Sequence, residues 1–134
     1  MNFTYLTNEI NETVDLINSI FNTCGSSNDF KLMENQKVLL LKDNNTVIGA
    51  TLITLKNDPI KNIKTYYLDY ICIKKEYQKM GLGRKMFEEL LNIAKENNID
   101  YIELTSREER TAARKMYLDY GMTIKDTDLF IKKV

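Results

Sequence analysis

The chain has 134 residues, 43% of them hydrophobic and 28% charged, the balance of one globular domain (residues 1–134) with a real core. Nineteen Lys and Arg offset nineteen Asp and Glu, so no net basic field exists to hold nucleic acid, and no apolar stretch approaches the length of a membrane span. There is no His, which removes the usual general base, the triads that need imidazole and most transition-metal sites, so no metal is expected.

Phe3-Thr4-Tyr5-Leu6 is a short strand candidate. Thr7 or Asn8 can cap a helix in which Ile10, Val14, Ile17, Ile20 and Phe21 recur at helical spacing. Cys24-Gly25-Ser26-Ser27-Asn28 breaks it, and residues 29–35 can add one or two helical turns. Residues 36–42 hold Val38-Leu39-Leu40-Leu41, a strand. Asp43-Asn44-Asn45-Thr46 is a hairpin turn and residues 47–55 the returning strand. Residues 56–63, with the single proline Pro59, read as a loop before a third strand over 64–73.

The main helix is expected over 82–96, with Met86, Phe87, Leu90, Leu91, Ile93 and Ala94 on one face and Asn97-Asn98 at its end. Tyr101-Ile102-Glu103-Leu104 is a strand that should lie parallel to the one before the helix. A second helix over 108–120 is closed by Gly121, and a last hairpin is expected from Met122-Thr123-Ile124-Lys125 and Leu129-Phe130-Ile131. The order β-α-(α)-β-β-β-α-β-α-β-β describes an α/β, mixed-sheet fold with helices on both faces.

Gln78-Lys79-Met80-Gly81-Leu82-Gly83 joins the third central strand to the main helix. A Gly-x-Gly turn there brings bare backbone close to a ligand, and the helix's first unpaired N–H groups favour negative charge. Position 86 is Met, so the dinucleotide fingerprint is incomplete, and the P-loop pattern is absent. Lys74, Lys75, Lys79, Arg84 and Lys85 cluster around the turn, as they would around phosphate or on a solvated surface. A tight turn without a ligand is the competing reading of these six residues. Cys24 and Cys72 make no disulfide framework. They are expected to be reduced thiols of a cytoplasmic protein, with Cys72 a small hydrophobe inside its strand, and no signal peptide is visible.

Two stretches resemble the GNAT superfamily of acetyl-CoA-dependent N-acetyltransferases. Residues 68–85 resemble its strand and Gln/Arg-x-x-Gly-x-Gly/Ala turn. Residues 104–122 resemble its second cofactor strand and its helix with Ala-x-x-x-Tyr-x-x-x-Gly-Phe, here Ala113, Tyr117 and Gly121. The match departs at Lys75, often Pro in the family, at Arg110, often Asn, and at Met122, often Phe. The resemblance implies acetyl-CoA as co-substrate and direct attack by an amine in a ternary complex. It implies a diphosphate held by the backbone of Lys79, Met80, Gly81, Leu82, Gly83 and Arg84, with Gln78 opening the turn. Ile71, Cys72 and Ile73 would pair their backbone with the pantetheine arm, and Arg110 stands at a cofactor contact that the Asn difference leaves open.

Tyr117 aligns with the family's general acid, against the alternative of a core tyrosine. Asp69, by strand parity on the same face as Ile71 and Ile73, is the candidate base, directly or through water. The acceptor is expected to be a primary amine of a small molecule or peptide, bound by a monomer or homodimer. Asp29, Asp126 and Asp128 hint weakly at a cationic acceptor. A non-catalytic acyl-CoA sensor on the same fold, or a nucleotide-phosphate binder of another fold, are the alternatives.

Overall fold

A computed structural model describes residues 1–134. Five strands form one sheet in the order β1 (Asn2–Tyr5), β2 (Gln36–Asp43), β3 (Thr46–Asp58), β4 (Ile63–Ile73) and β5 (Tyr101–Glu103). Neighbours are antiparallel except β4 and β5, which are parallel and joined through the long helix α2 (Leu82–Glu96). Helix α1 (Ile10–Phe21) covers one face. Helices α2 and α3 (Thr111–Asp119) serve the other, so the mixed sheet with helices on both faces holds.

Two-sided burial explains the unbroken apolar run of β2. Leu39 and Leu41 join Met86, Phe87 and Leu90 of α2, while Val38 and Leu40 face Leu16 of α1. Helix α2 begins and ends where the pattern of residues 82–96 predicts, and Asn97 closes it by donating its side-chain amide to the Ile93 carbonyl at 2.7 Å. Gly121 also fills its expected place. At φ 90° it lets its own N–H reach Leu118 O and the Met122 N–H reach Tyr117 O, both at 3.0 Å.

Four local expectations differ. Neither Thr7 nor Asn8 caps α1; the Glu9 carboxylate accepts both of their N–H groups, at 2.8 and 3.1 Å, and the Lys42 ammonium at 2.7 Å. Residues 29–35 form no helix. Asn35 is tied to Leu55 by two hydrogen bonds, while Phe30 and Leu32, spaced by two, pack toward α1. Strand β3 runs on to Asp58, shortening the expected loop to residues 59–62. The last hairpin does not form, and residues 122–134 hold neither helix nor strand. Leu129, Phe130 and Ile131 are 82–93% exposed. A lone hairpin is marginal without a sheet to extend, and β5 offers only three residues.

Glu9 and Lys42 fasten the start of α1 to β2 with side chains only 10% and 18% exposed. The pair and the two backbone donors hold the Glu9 pKa down at about 2, against an ordinary 4.5. A depressed carboxylate stabilises the fold above its unfolded pKa and loses that effect as pH falls through the folded value. Glu9→Gln is expected to cost about 1–2 kcal/mol at neutral pH. Denaturant titrations should show this deficit shrinking below pH 4.5 and vanishing near pH 2; a deficit independent of pH would remove the carboxylate from this role.

Candidate active site

Strands β4 and β5 pair over three rungs only: Thr65 with Tyr101, Tyr66 with Ile102, and Tyr67 with Glu103. Beyond Tyr67, the residues Leu68–Ile73 have no strand neighbour on that side, so the sheet opens into a V. The Tyr67 hydroxyl still spans the opening to Thr105 Oγ1 at 3.4 Å. Next along the chain, the Ser106 hydroxyl is buried without a partner. Tyr67, Thr105 and Ser106 were not singled out from the sequence, because nothing in their spacing marks the rung at which the two strands part.

The turn that follows β4 lies at the end of this V. A short 3₁₀ turn over Lys75–Tyr77 precedes it, and the Tyr77 hydroxyl anchors it to Asp43 at 2.9 Å. Lys79 and Gly81 both adopt left-handed backbone, φ 64° and 78°. This curls the chain so that successive N–H groups face one concavity. No amide from Lys79 to Arg84 donates a hydrogen bond within the chain; the first N–H engaged is that of Lys85, to Gly81 O. A Cβ built on Gly81 or Gly83 would meet nothing within 4 Å, so the space beside both glycines is open. Six unsatisfied donors at a helix N-terminus suit an anion with several oxygens.

Side chains around the turn divide sharply. Gln78 does not face the concavity: its amide donates to Ile73 O at 2.9 Å and braces the turn against the end of β4. The Arg84 guanidinium is also engaged, with Asp119 at 2.9 Å, which leaves its backbone N–H free but much of its charge offset. Met80 is exposed and Leu82 is buried in the α2 core.

The expected placement of Asp69 is corrected by a β-bulge. Across from β3, Ala50 pairs with Cys72 but Leu52 pairs with Asp69, so β4 carries one extra residue between them. That residue is Tyr70, at φ 57°, an uncommon conformation for an aromatic side chain. The extra residue reverses strand parity. Ile71 and Ile73 face α2 with Leu68, whereas Asp69 lies opposite Leu52 on the α1 side, together with Cys72. Asp69 is half-buried, and desolvation raises its pKa above the ordinary carboxylate value. Cys72 is buried, its thiol pushed up to about 12, as expected for a packing residue.

On the other side of the sheet, Tyr117 is half-buried with its ring 5.4 Å from that of Phe87. Burial raises its phenol above the usual pKa, against a smaller opposing effect of the nearby Arg110 charge. The phenol therefore stays protonated throughout the neutral range. Arg110 is exposed, and its guanidinium lies over Phe21 at the end of α1 instead of beside the turn.

Asp69 makes no hydrogen bond or ion pair within the chain, so its half-buried charge is uncompensated. A raised carboxylate pKa means that stability falls as pH rises through the folded value. Asp69→Asn is expected to raise the melting temperature by about 1–3 °C at neutral pH. It should have no such effect at pH 3, where the wild-type group is protonated; an equal gain at both pH values would show that the charge is not the cause.

The chain matches the family described as Acetyltransferase (GNAT) over residues 9–122. It is 31% identical over 85 residues to a "Probable N-acetyltransferase san" of Drosophila melanogaster, covering 63% of this chain but 45% of that protein, so the chain spans about half the length of this curated relative. Its fold resembles a ribosomal-protein-alanine N-acetyltransferase from Brucella melitensis, with a TM-score of 0.84, 13% identity, and coverage of 99% of this chain and 100% of that one. It also resembles a predicted acetyltransferase of Clostridium acetobutylicum solved with acetyl-CoA, with a TM-score of 0.76, 18% identity, and coverage of 98% and 95%. With the family match spanning both the turn and the helix of Tyr117, the chain belongs to the GNAT acetyltransferase family.

Proposed function

We propose that this protein transfers an acetyl group from acetyl-CoA to a primary amine of a small molecule or peptide, by direct attack while both substrates are bound. The observation that carries this reading is the row of six unpaired amides, Lys79 to Arg84, at the end of a strand edge left open by the V. The amides suit a diphosphate, and the Ile71–Ile73 backbone suits the amides of a pantetheine arm as a substitute strand. The relatives named for acetyl transfer support the same reading.

Bound acetyl-CoA supplies an activated thioester; the chain's own residues align it and handle protons. A backbone N–H near Ile71 would hydrogen-bond the thioester carbonyl as charge builds on its oxygen. Tyr117, protonated and half-buried on the α2 side, donates its proton to the departing sulfur. Asp69 lies on the α1 side and takes the amine's proton, directly or through water. Acid and base thus stand on opposite faces of the sheet, which suits attack from one side and departure toward the other.

Gly83→Val should lower acetyl-CoA affinity at least tenfold, because the added methyls enter the open concavity. The fold should survive, because valine is a slightly better helix former than glycine and its Cβ meets nothing within 4 Å. Isothermal titration with acetyl-CoA, ATP and NAD reads this directly, and a wild-type protein that ignores acetyl-CoA at high micromolar concentration would end the proposal.

Tyr117→Phe should reduce turnover by about 10²–10⁴-fold at unchanged acetyl-CoA affinity. An amine panel with free-thiol detection measures it. The wild-type alkaline limb should lie above pH 10, since burial raises the phenol pKa; equal turnover in the variant would remove Tyr117 from the chemistry.

A further inference from the structure

Arg110 immediately precedes α3, yet its guanidinium reaches the opposite layer and lies 4.7 Å from the centre of the Phe21 ring. Phe21, the last residue of α1, meets Tyr70 edge-on, with ring centres 5.3 Å apart and planes at 74°. Tyr70 is the bulge residue of β4 and is 41% exposed. Three segments distant in sequence therefore converge at the open end of the V, beside the candidate acid: the Arg110 charge is felt at the Tyr117 phenol.

The cations around the site differ in what they face. Arg84 is held by Asp119, and Lys42 by Glu9. The Arg110 guanidinium has no carboxylate within ion-pair distance and donates no hydrogen bond inside the chain, where only the backbone N–H of the residue is engaged, with Arg107 O at 3.1 Å. Contact with the Phe21 ring holds the guanidinium by its carbon and leaves its N–H groups without partners inside the chain. An unpaired guanidinium edge matches a carboxylate through two parallel hydrogen bonds, which a lysine at the same place would not. Tyr70 adds a second observation. An aromatic residue at φ 57° carries strain of about 1–3 kcal/mol that Gly or Asn would relieve. Its ring braces Phe21, and through Phe21 the guanidinium.

We propose that Arg110, positioned by Phe21 and Tyr70, binds the acceptor and selects amines that carry a carboxylate close to the amino group. This deepens the acetyl-transfer reading and rests on it. Asp29, Asp126 and Asp128 hinted at the opposite charge, but all three are exposed, and Asp126 and Asp128 stand in a tail with neither helix nor strand. A free amino acid and a peptide N-terminus with an acidic second residue share the required chemistry.

Matched acceptors distinguish these sources. Glycine is compared with glycinamide, and Ala-Asp-amide with Ala-Asn-amide, each at equal concentration of neutral amine. The wild type should favour the carboxylate member of one pair by about ten- to hundredfold in kcat/KM. Arg110→Ala should bring that ratio toward one, Arg110→Lys should keep part of it, and Arg110→Glu should turn preference toward cationic amines. Tyr70→Asn should raise the melting temperature while lowering the ratio.

Acetyl-CoA titration of each variant monitors the fold and the cofactor site separately. An Arg110→Ala protein that loses acetyl-CoA affinity but keeps the wild-type ratio would return Arg110 to the cofactor and overturn the proposal. So would a wild type indifferent to the carboxylate in both pairs, with acetyl transfer itself intact. Acetyl-CoA binding with no amine acetylated at all would instead sink the acetyl-transfer reading, and this inference with it.

Discussion

Lateral pairing between β4 and β5 lasts three rungs and stops, and the site is built on that stop. Each unpaired strand group must find another partner or remain in water, and an open strand edge is a template for a ligand with amide groups. Had the pairing continued to Ile73, the edge beside the glycine turn would be closed by protein. The turn sits at the end of the same strand, held by the Gln78 side chain on Ile73 O and by the Lys74 N–H on Ile48 O. Strand edge and anion concavity are therefore parts of one rigid unit.

Electrostatics around that unit depend more on pairing than on net charge. The lysines and arginines near the turn look like a phosphate-binding patch, yet Arg84 is paired with Asp119 across to α3. Lys74, Lys75, Lys79 and Lys85 make no ion pair, and the unpaired amides of the turn add attraction for an anion that needs no side-chain charge. The two groups proposed for proton transfer are both shifted by burial, upward in each case. For the phenol this keeps the proton in place. For the carboxylate it destabilises the charged form and makes it a stronger base.

Much of this was legible in the sequence because it is local. Helix α2 was predicted residue by residue from its periodicity, and the Gly81 turn and Gly121 stop from the conformations that glycine allows. The continuous apolar run Val38–Leu41 identified a strand, which the structure buries on both faces. The C-terminal hairpin was predicted from the same kind of pattern and is absent, since a hairpin needs a sheet edge long enough to receive it. Residues 29–35 could have added one or two helical turns but form none, and Asn35 is held by two hydrogen bonds to Leu55, twenty residues away.

The sequence by itself determined the central elements from β2 to α3, the order in which they occur, the glycine turn and the family resemblance, because each is encoded over a few neighbouring residues. Tertiary structure alone decided which face Asp69 occupies, where Arg110 reaches and which cations remain free. One inserted residue at Tyr70 reverses the parity of everything before it along β4, and no pattern in the chain announces it; only pairing with β3 reveals the extra residue. Likewise, the contact of the Arg110 guanidinium with the Phe21 ring joins residues 89 positions apart, a distance at which spacing carries no information and only packing does.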